Sequence, residues 1–249
     1  MRKRSNTELW IIIGVAMVLC LIGAAVVCYA LKSPDKGITT VSDQASLSIV
    51  DSDSDSIPAY SGEDHIILNN GIPCFNSWDL KNIHGEKYSG LDELGRCGAV
   101  IAMLDRTMMP TGERGEIGQI KPTGWVQNKY EGIIDSNPPY LYNRSHLIAY
   151  ALTGQNANEL NLITGTRYMN ATTMLPWEEK VMRYFDRSDN HVLYRVTPYF
   201  KGNELLARGV EMEAYSVEDN GAGVCYHVFV YNIQPGIVID YATGANREE

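Results

Sequence analysis

Cysteine is sparse in this chain and badly placed for a disulfide scaffold. Five cysteines occur in 249 residues, and Cys20 and Cys28 sit within an apolar run, leaving the odd set Cys74, Cys97 and Cys225. That excludes a fold stapled by paired bridges and favours three buried small hydrophobes, with one bridge plus a free thiol as the alternative. Positive charge is also short. A net charge of −9 argues against casual polyanion binding and predicts weak, salt-dependent affinity rather than its absence. No internal repeat is present, so a solenoid is excluded. The Asp51-Ser-Asp-Ser-Asp-Ser56 stretch lacks the glycine and terminal glutamate of an EF-hand loop. Ser145 lacks the flanking glycines of a nucleophile elbow. What the chain does have is 45% apolar residues, enough for a full core in one domain.

The longest apolar run is Leu9 to Leu31, uncharged throughout. At about 1.5 Å per residue it spans roughly 34 Å, enough for a bilayer core. Arg2, Lys3 and Arg4 precede it, which predicts a cytoplasmic N-terminus and an exported remainder. A cleaved signal peptide, giving a secreted protein, is the competing reading. The run is long for one, and Cys28-Tyr29-Ala30-Leu31 makes a poor cleavage site. The expected organisation is a basic cytoplasmic segment at 1–8, a transmembrane signal anchor at 9–31, a flexible Ser/Asp-rich tether at 32–59 and a globular domain at 60–249.

Within that domain His65 to Leu68, Cys97 to Leu104, Ile117 to Ile120 and Tyr140 to Tyr150 read as strands. Asn158 to Asp189 reads as mainly helical, with Pro176 marking a start or kink. His191 to Thr197, Leu205 to Ser216 and Val224 to Ile233 are strand-length runs. They are separated by hairpin signals at Lys201-Gly-Asn203 and Glu218-Asp-Asn-Gly221. The fold class is α+β, an antiparallel sheet with a strand–strand–helix unit in its middle.

The chemistry concentrates in Tyr142-Asn-Arg-Ser-His-Leu147 and the segment beginning at Asn161. Alternate strand residues share a face, so Arg144 and His146 project together. A neutral imidazole can take a proton from water, and a neighbouring guanidinium helps keep it neutral. Arg144 could also pair with phosphate oxygens. Asn170 offers one neutral oxygen suited to Mg²⁺. Glu178, eight residues on, falls near the same side of a continuous helix. Asp105 to Phe200 holds ten Lys/Arg and ten Asp/Glu, so this region is neutral and free to form a local basic cleft. Asn143-Arg-Ser145 and Asn170-Ala-Thr172 are glycosylation sequons, and a glycan on either would block the site.

Six separated blocks carry a resemblance: Leu94-Gly-Arg-Cys-Gly98, Arg114-Gly-Glu-Ile-Gly118, Lys121-Pro-Thr-Gly-Trp125, Tyr142 to Leu147, Asn161-Leu-Ile-Thr-Gly-Thr-Arg-Tyr168 and Gln234-Pro-Gly236. Together they resemble the DNA/RNA non-specific endonuclease family, the ββα-metal nucleases, in its DNA-entry nuclease branch from Gram-positive bacteria. The resemblance implies a ββα-metal motif and metal-dependent hydrolysis of DNA, with RNA left open. It implies His146 as general base, Asn170 as ligand of one Mg²⁺ that Mn²⁺ could replace, and Asn161 as a supporting asparagine. Glu178 would position water beside the metal, Arg144 would assist, and Arg114, Lys121 and Arg167 would contact phosphates. The family motif has Asp and Gly where this chain has Asn143 and Ser145, so His146 must be oriented by another acceptor, such as a backbone carbonyl. The same departure supports a second reading, a non-catalytic surface protein that captures nucleic acid for uptake.

Overall fold

The structure is a computed structural model that describes residues 58–249. The expectations for 1–8, 9–31 and nearly all of the tether lie outside the described residues. No helix among the described residues is long and apolar enough to cross a membrane.

Alternation of apolar and polar residues builds the central sheet. Its strands are β1 (His65–Ile67), β2 (Gly85–Tyr88), β3 (Val100–Leu104), β6 (Val192–Tyr199), β7 (Gly209–Ser216) and β8 (Cys225–Tyr231). They run in the order β1-β8-β7-β6-β3-β2, with every neighbouring pair antiparallel. Val192, Tyr194 and Val196 line up beside Val210, Met212 and Ala214, then Tyr226, Val228 and Val230, to make one continuous apolar face. Each such side chain, fully buried, contributes about 1.5–3 kcal/mol. The β7–β8 turn places Asn220 at φ 55° and Gly221 at φ 81°. A Cβ on Gly221 would lie 2.7 Å from the Tyr215 ring, so the expected hairpin signal carries a steric requirement.

Against the apolar face packs a ββα unit. Strands β4 (Tyr142–His146) and β5 (Leu162–Thr166) form an antiparallel ribbon. A π-turn at Met169–Thr173 follows, then helix α3 (Leu175–Phe185). Pro176 falls in the first turn of α3, where its missing N–H costs nothing. Val181 and Phe185 are buried on the core side with Met169 and Met174. A second short ribbon pairs β9 (Ile237–Ile239) with β10 (Asn246–Glu248). Two short helices complete the set, α1 (Ser77–Asn82) and α2 (Tyr150–Thr153).

Four sequence expectations need correction. Asn158 to Tyr168 holds a 3₁₀ turn at Glu159–Asn161 and then a strand, because Leu162 to Thr166 pairs residue for residue with β4. Ile117 to Ile120 is a turn whose carbonyls face an arginine side chain rather than a neighbouring strand. The strand at Tyr140 to Tyr150 stops at His146, and α2 begins at Tyr150. Among the described cysteines only Cys97 is buried; its thiol donates to the carbonyls of Glu159 and Leu162, and burial pushes it up to about 12.

Candidate active site

The strands and helix of the ββα unit frame a groove of about 1090 Å³. His146, Arg144, Arg114, Arg167, Asn170 and Glu178 all line it. Six of the eight expected site residues are thus brought together from four separate segments. The arginines make a basic cleft inside an acidic protein, since Glu178 is the one carboxyl among the lining residues.

His146 is 6% exposed at the end of β4. Its Nε2 lies 2.9 Å from the backbone carbonyl of Asn156. A carbonyl can only accept, so Nε2 carries the proton and Nδ1 keeps its lone pair. Arg114 Nη2 donates to that Nδ1 at 3.3 Å. Burial first, and then the Arg114 charge, hold the imidazole below its ordinary value against the opposing pull of the Asn156 carbonyl. The ring is therefore neutral and a base at neutral pH. A backbone carbonyl supplies the orientation that the missing motif carboxylate cannot.

Ser145 points to the other side of β4, where its hydroxyl donates to Asn170 Oδ1 at 2.8 Å. This contact needs a small partner on β5. A Cβ on Gly165 would lie 2.7 Å from Ser145 Cβ and 2.6 Å from Met169 Cε. Asn170 itself lies in the π-turn closed by Met174 N–H donating to the Met169 carbonyl. The helix is therefore not continuous from Asn170 to Glu178, and the π-turn with α3 together bring both to the groove.

Glu178 is 8% exposed in the first turn of α3. Its carboxyl is pushed up to about 8, mainly by burial and further by the neighbouring Glu179. Glu179 is partly exposed and pairs with Arg183. The folded value for Glu178 exceeds the unfolded one, so its stabilising contribution is present at acid pH and lost as pH rises. Chelator-treated protein is expected to lose thermal stability between about pH 4.5 and 8, with Glu178→Gln flattening that slope. Equal slopes in the two proteins would show that Glu178 does not titrate there.

Three expectations shift in role. Arg144 spends donors on the loop: Nη2 donates to the Gly118 carbonyl at 2.8 Å, Nε donates to that of Ile120, and the guanidinium stacks on Trp125. Its remaining N–H groups are those available to a phosphate. Lys121 is exposed beside a separate cavity of about 280 Å³, apart from the groove. Its loop runs elsewhere because Thr164 Oγ1 holds the Thr123 carbonyl and Thr123 Oγ1 holds that of Leu205.

Asn161 is completely buried and does not line the groove. Its Oδ1 accepts from Ile148 N–H and its Nδ2 donates to Ile148 O, clamping the chain just after His146. It is a positioning residue. Asn161→Ala would leave two buried backbone groups unpaired, at about 1–3 kcal/mol each. We expect a lower melting temperature and lower activity together. Lost activity at unchanged stability would instead give Asn161 a direct chemical role.

Three participants escaped the sequence reading. The Asn156 carbonyl carries no side-chain signal, and nothing in the sequence pointed the Ser145 hydroxyl at Asn170. Trp125 stood in a quoted block, but its stacking under Arg144 depends on tertiary geometry.

The fold agrees with comparison to known proteins. The family model for the DNA/RNA non-specific endonucleases matches residues 77–218, and the chain belongs to that family. NucA from Streptococcus agalactiae, in its structure with magnesium ion bound, is 26% identical with a TM-score of 0.63, covering 74% of this chain and 87% of that one. The Sda1 nuclease with bound zinc ion is likewise 26% identical with a TM-score of 0.63, over 75% of this chain and 97% of that one. A deoxyribonuclease from Streptococcus dysgalactiae subsp. equisimilis is 36% identical over 111 residues, 42% of this chain and 32% of that protein. The matched segment thus spans about a third of that relative's length.

Proposed function

We propose that the chain is a membrane-anchored extracellular endonuclease that hydrolyses phosphodiester bonds of DNA without sequence specificity, using His146 as general base and one Mg²⁺. RNA offers the same backbone chemistry. The observation that carries this reading is the His146 ring, locked by the Asn156 carbonyl so that its basic Nδ1 belongs to a groove lined by three arginines.

The donors fit the ion. Asn170 and Glu178 both line the groove, no cysteine does, and hard oxygen donors suit Mg²⁺. Asn170 would hold it, with Glu178 fixing water nearby. Bound there, the ion supplies Lewis acidity toward the phosphate and the departing 3′ oxygen.

The chain's own residues do the rest. His146 Nδ1 takes a proton from the attacking water, and Nε2–H keeps its bond to the Asn156 carbonyl as the ring becomes charged. Arg114, exposed and stacked at 5.4 Å on Tyr150, exchanges its contact with Nδ1 for a phosphate oxygen. Arg144 and Arg167 neutralise adjoining phosphates. Contacts of this kind grip backbone rather than base edges, which supports the lack of sequence preference. The test is cleavage of unrelated DNA duplexes at comparable rates, and confinement of cutting to one sequence would contradict the reading. The anchor rests on Leu9 to Leu31. Recovery of full-length chain in the membrane fraction is expected, whereas a shortened chain found only in the medium would indicate a cleaved leader.

A further inference from the structure

The sheet face turned away from α3 carries a row of polar residues at positions that a two-residue alternation assigns to a second core. Arg195 on β6, Glu213 on β7 and His227 on β8 are direct cross-strand neighbours. Glu213 is 1% exposed and His227 4% exposed. The segment before α1 is laid across this row. Phe75 packs with Leu80, Ile83, Ile101 and Leu193, and its ring stacks against Arg195 at 5.0 Å. Asn76 caps α1 through a capping box with Asp79. Cys74 is thereby held over the row, with its backbone N–H donating to Glu213 Oε1 at 2.7 Å and its Sγ 4.0 Å from His227 Nδ1.

We propose that Cys74, Glu213 and His227 form a second cation site, separate from the groove, for a thiophilic divalent ion of the Zn²⁺ class. Among the described residues these are the three His, Cys or acidic side chains whose ligand atoms all lie within 4.8 Å of one another. A tetrahedral site with metal–sulfur near 2.3 Å and metal–nitrogen near 2.0–2.1 Å needs sulfur and nitrogen about 3.6 Å apart. The observed 4.0 Å is a few tenths of an ångström from that.

The surroundings match a metal-ligating histidine. Glu211 accepts from His227 Nε2, the carboxylate–histidine arrangement that aims the opposite nitrogen at an ion. Tyr199 in turn donates to Glu211. Arg195 engages Glu213 Oε2, leaving Oε1 on the Cys74 side. The charges balance: a dication and Arg195 offset one thiolate and the carboxylates of Glu211 and Glu213, with His227 neutral. Nδ1 also sits 3.2 Å from the Ile72 carbonyl, so an ion replaces a proton at that nitrogen and binding weakens in acid. Cys74 is exposed, which gives an ion access. The bound ion would staple the segment around Cys74 to β7 and β8.

Sulfur makes the site separable from the groove, whose lining has no cysteine. Full-length chain stripped with chelator is titrated with Co²⁺. The expected result is a near-ultraviolet sulfur-to-cobalt charge-transfer band that saturates at one equivalent and disappears when Zn²⁺ is added. Cys74→Ser should lose the band while retaining DNA cleavage, and Glu211→Gln should weaken Co²⁺ binding about 10–100-fold. No band in the wild-type chain, or an undiminished band in Cys74→Ser, would overturn the proposal.

Discussion

His146→Ala is expected to reduce DNA cleavage by about 10²–10⁴-fold, the usual contribution of a positioned proton acceptor. The domain should stay folded. His146 closes β4, but its side-chain bonds are to the Asn156 carbonyl and Arg114 at the groove, and the β4–β5 ladder is backbone pairing. The adjacent apolar anchors Leu147 and Ile148 remain buried in the core. Circular dichroism and melting temperature separate the two effects. Near-wild-type cleavage by a folded variant would remove His146 from the chemistry and leave the groove as a binding surface.

Chelation is expected to have an equally large effect. EDTA should stop cleavage, and Mg²⁺ or Mn²⁺ should restore it. The argument is electrostatic. Three arginines border the groove, yet Arg144 already gives donors to the Gly118 and Ile120 carbonyls and Arg114 is turned toward His146. The oxygens at Asn170 and Glu178 carry no positive charge of their own and need a cation to act on a phosphate. Activity unaffected by EDTA would mean that the arginines alone carry the stabilisation.

The two expectations have different structural origins. Strand alternation was legible wherever one face is buried, so Arg144 with His146, and the apolar residues of β6 to β8, could be read directly. Asn170 and Glu178 were legible as residue types at a spacing, although the π-turn between them was not. Leu162 to Thr166 is buried on both sides, and a run without alternation does not distinguish strand from helix. Lys121 was misplaced, and the way Asn161 supports the site was not legible, for a related reason. Whether a motif residue faces a groove or clamps a backbone depends on hydrogen bonds to residues far along the chain, such as Thr164 to Thr123. Arg195, Glu213 and His227 stand well apart in sequence, and only the register of three strands makes them neighbours.

Supercoiled plasmid mixed with full-length chain and Mg²⁺ tests the central claim most directly, because one nick per molecule is visible and capture without turnover leaves the plasmid supercoiled. The account predicts conversion to relaxed and then linear forms bearing 5′-phosphate and 3′-hydroxyl ends. A plasmid that is bound and retarded but stays supercoiled would contradict it.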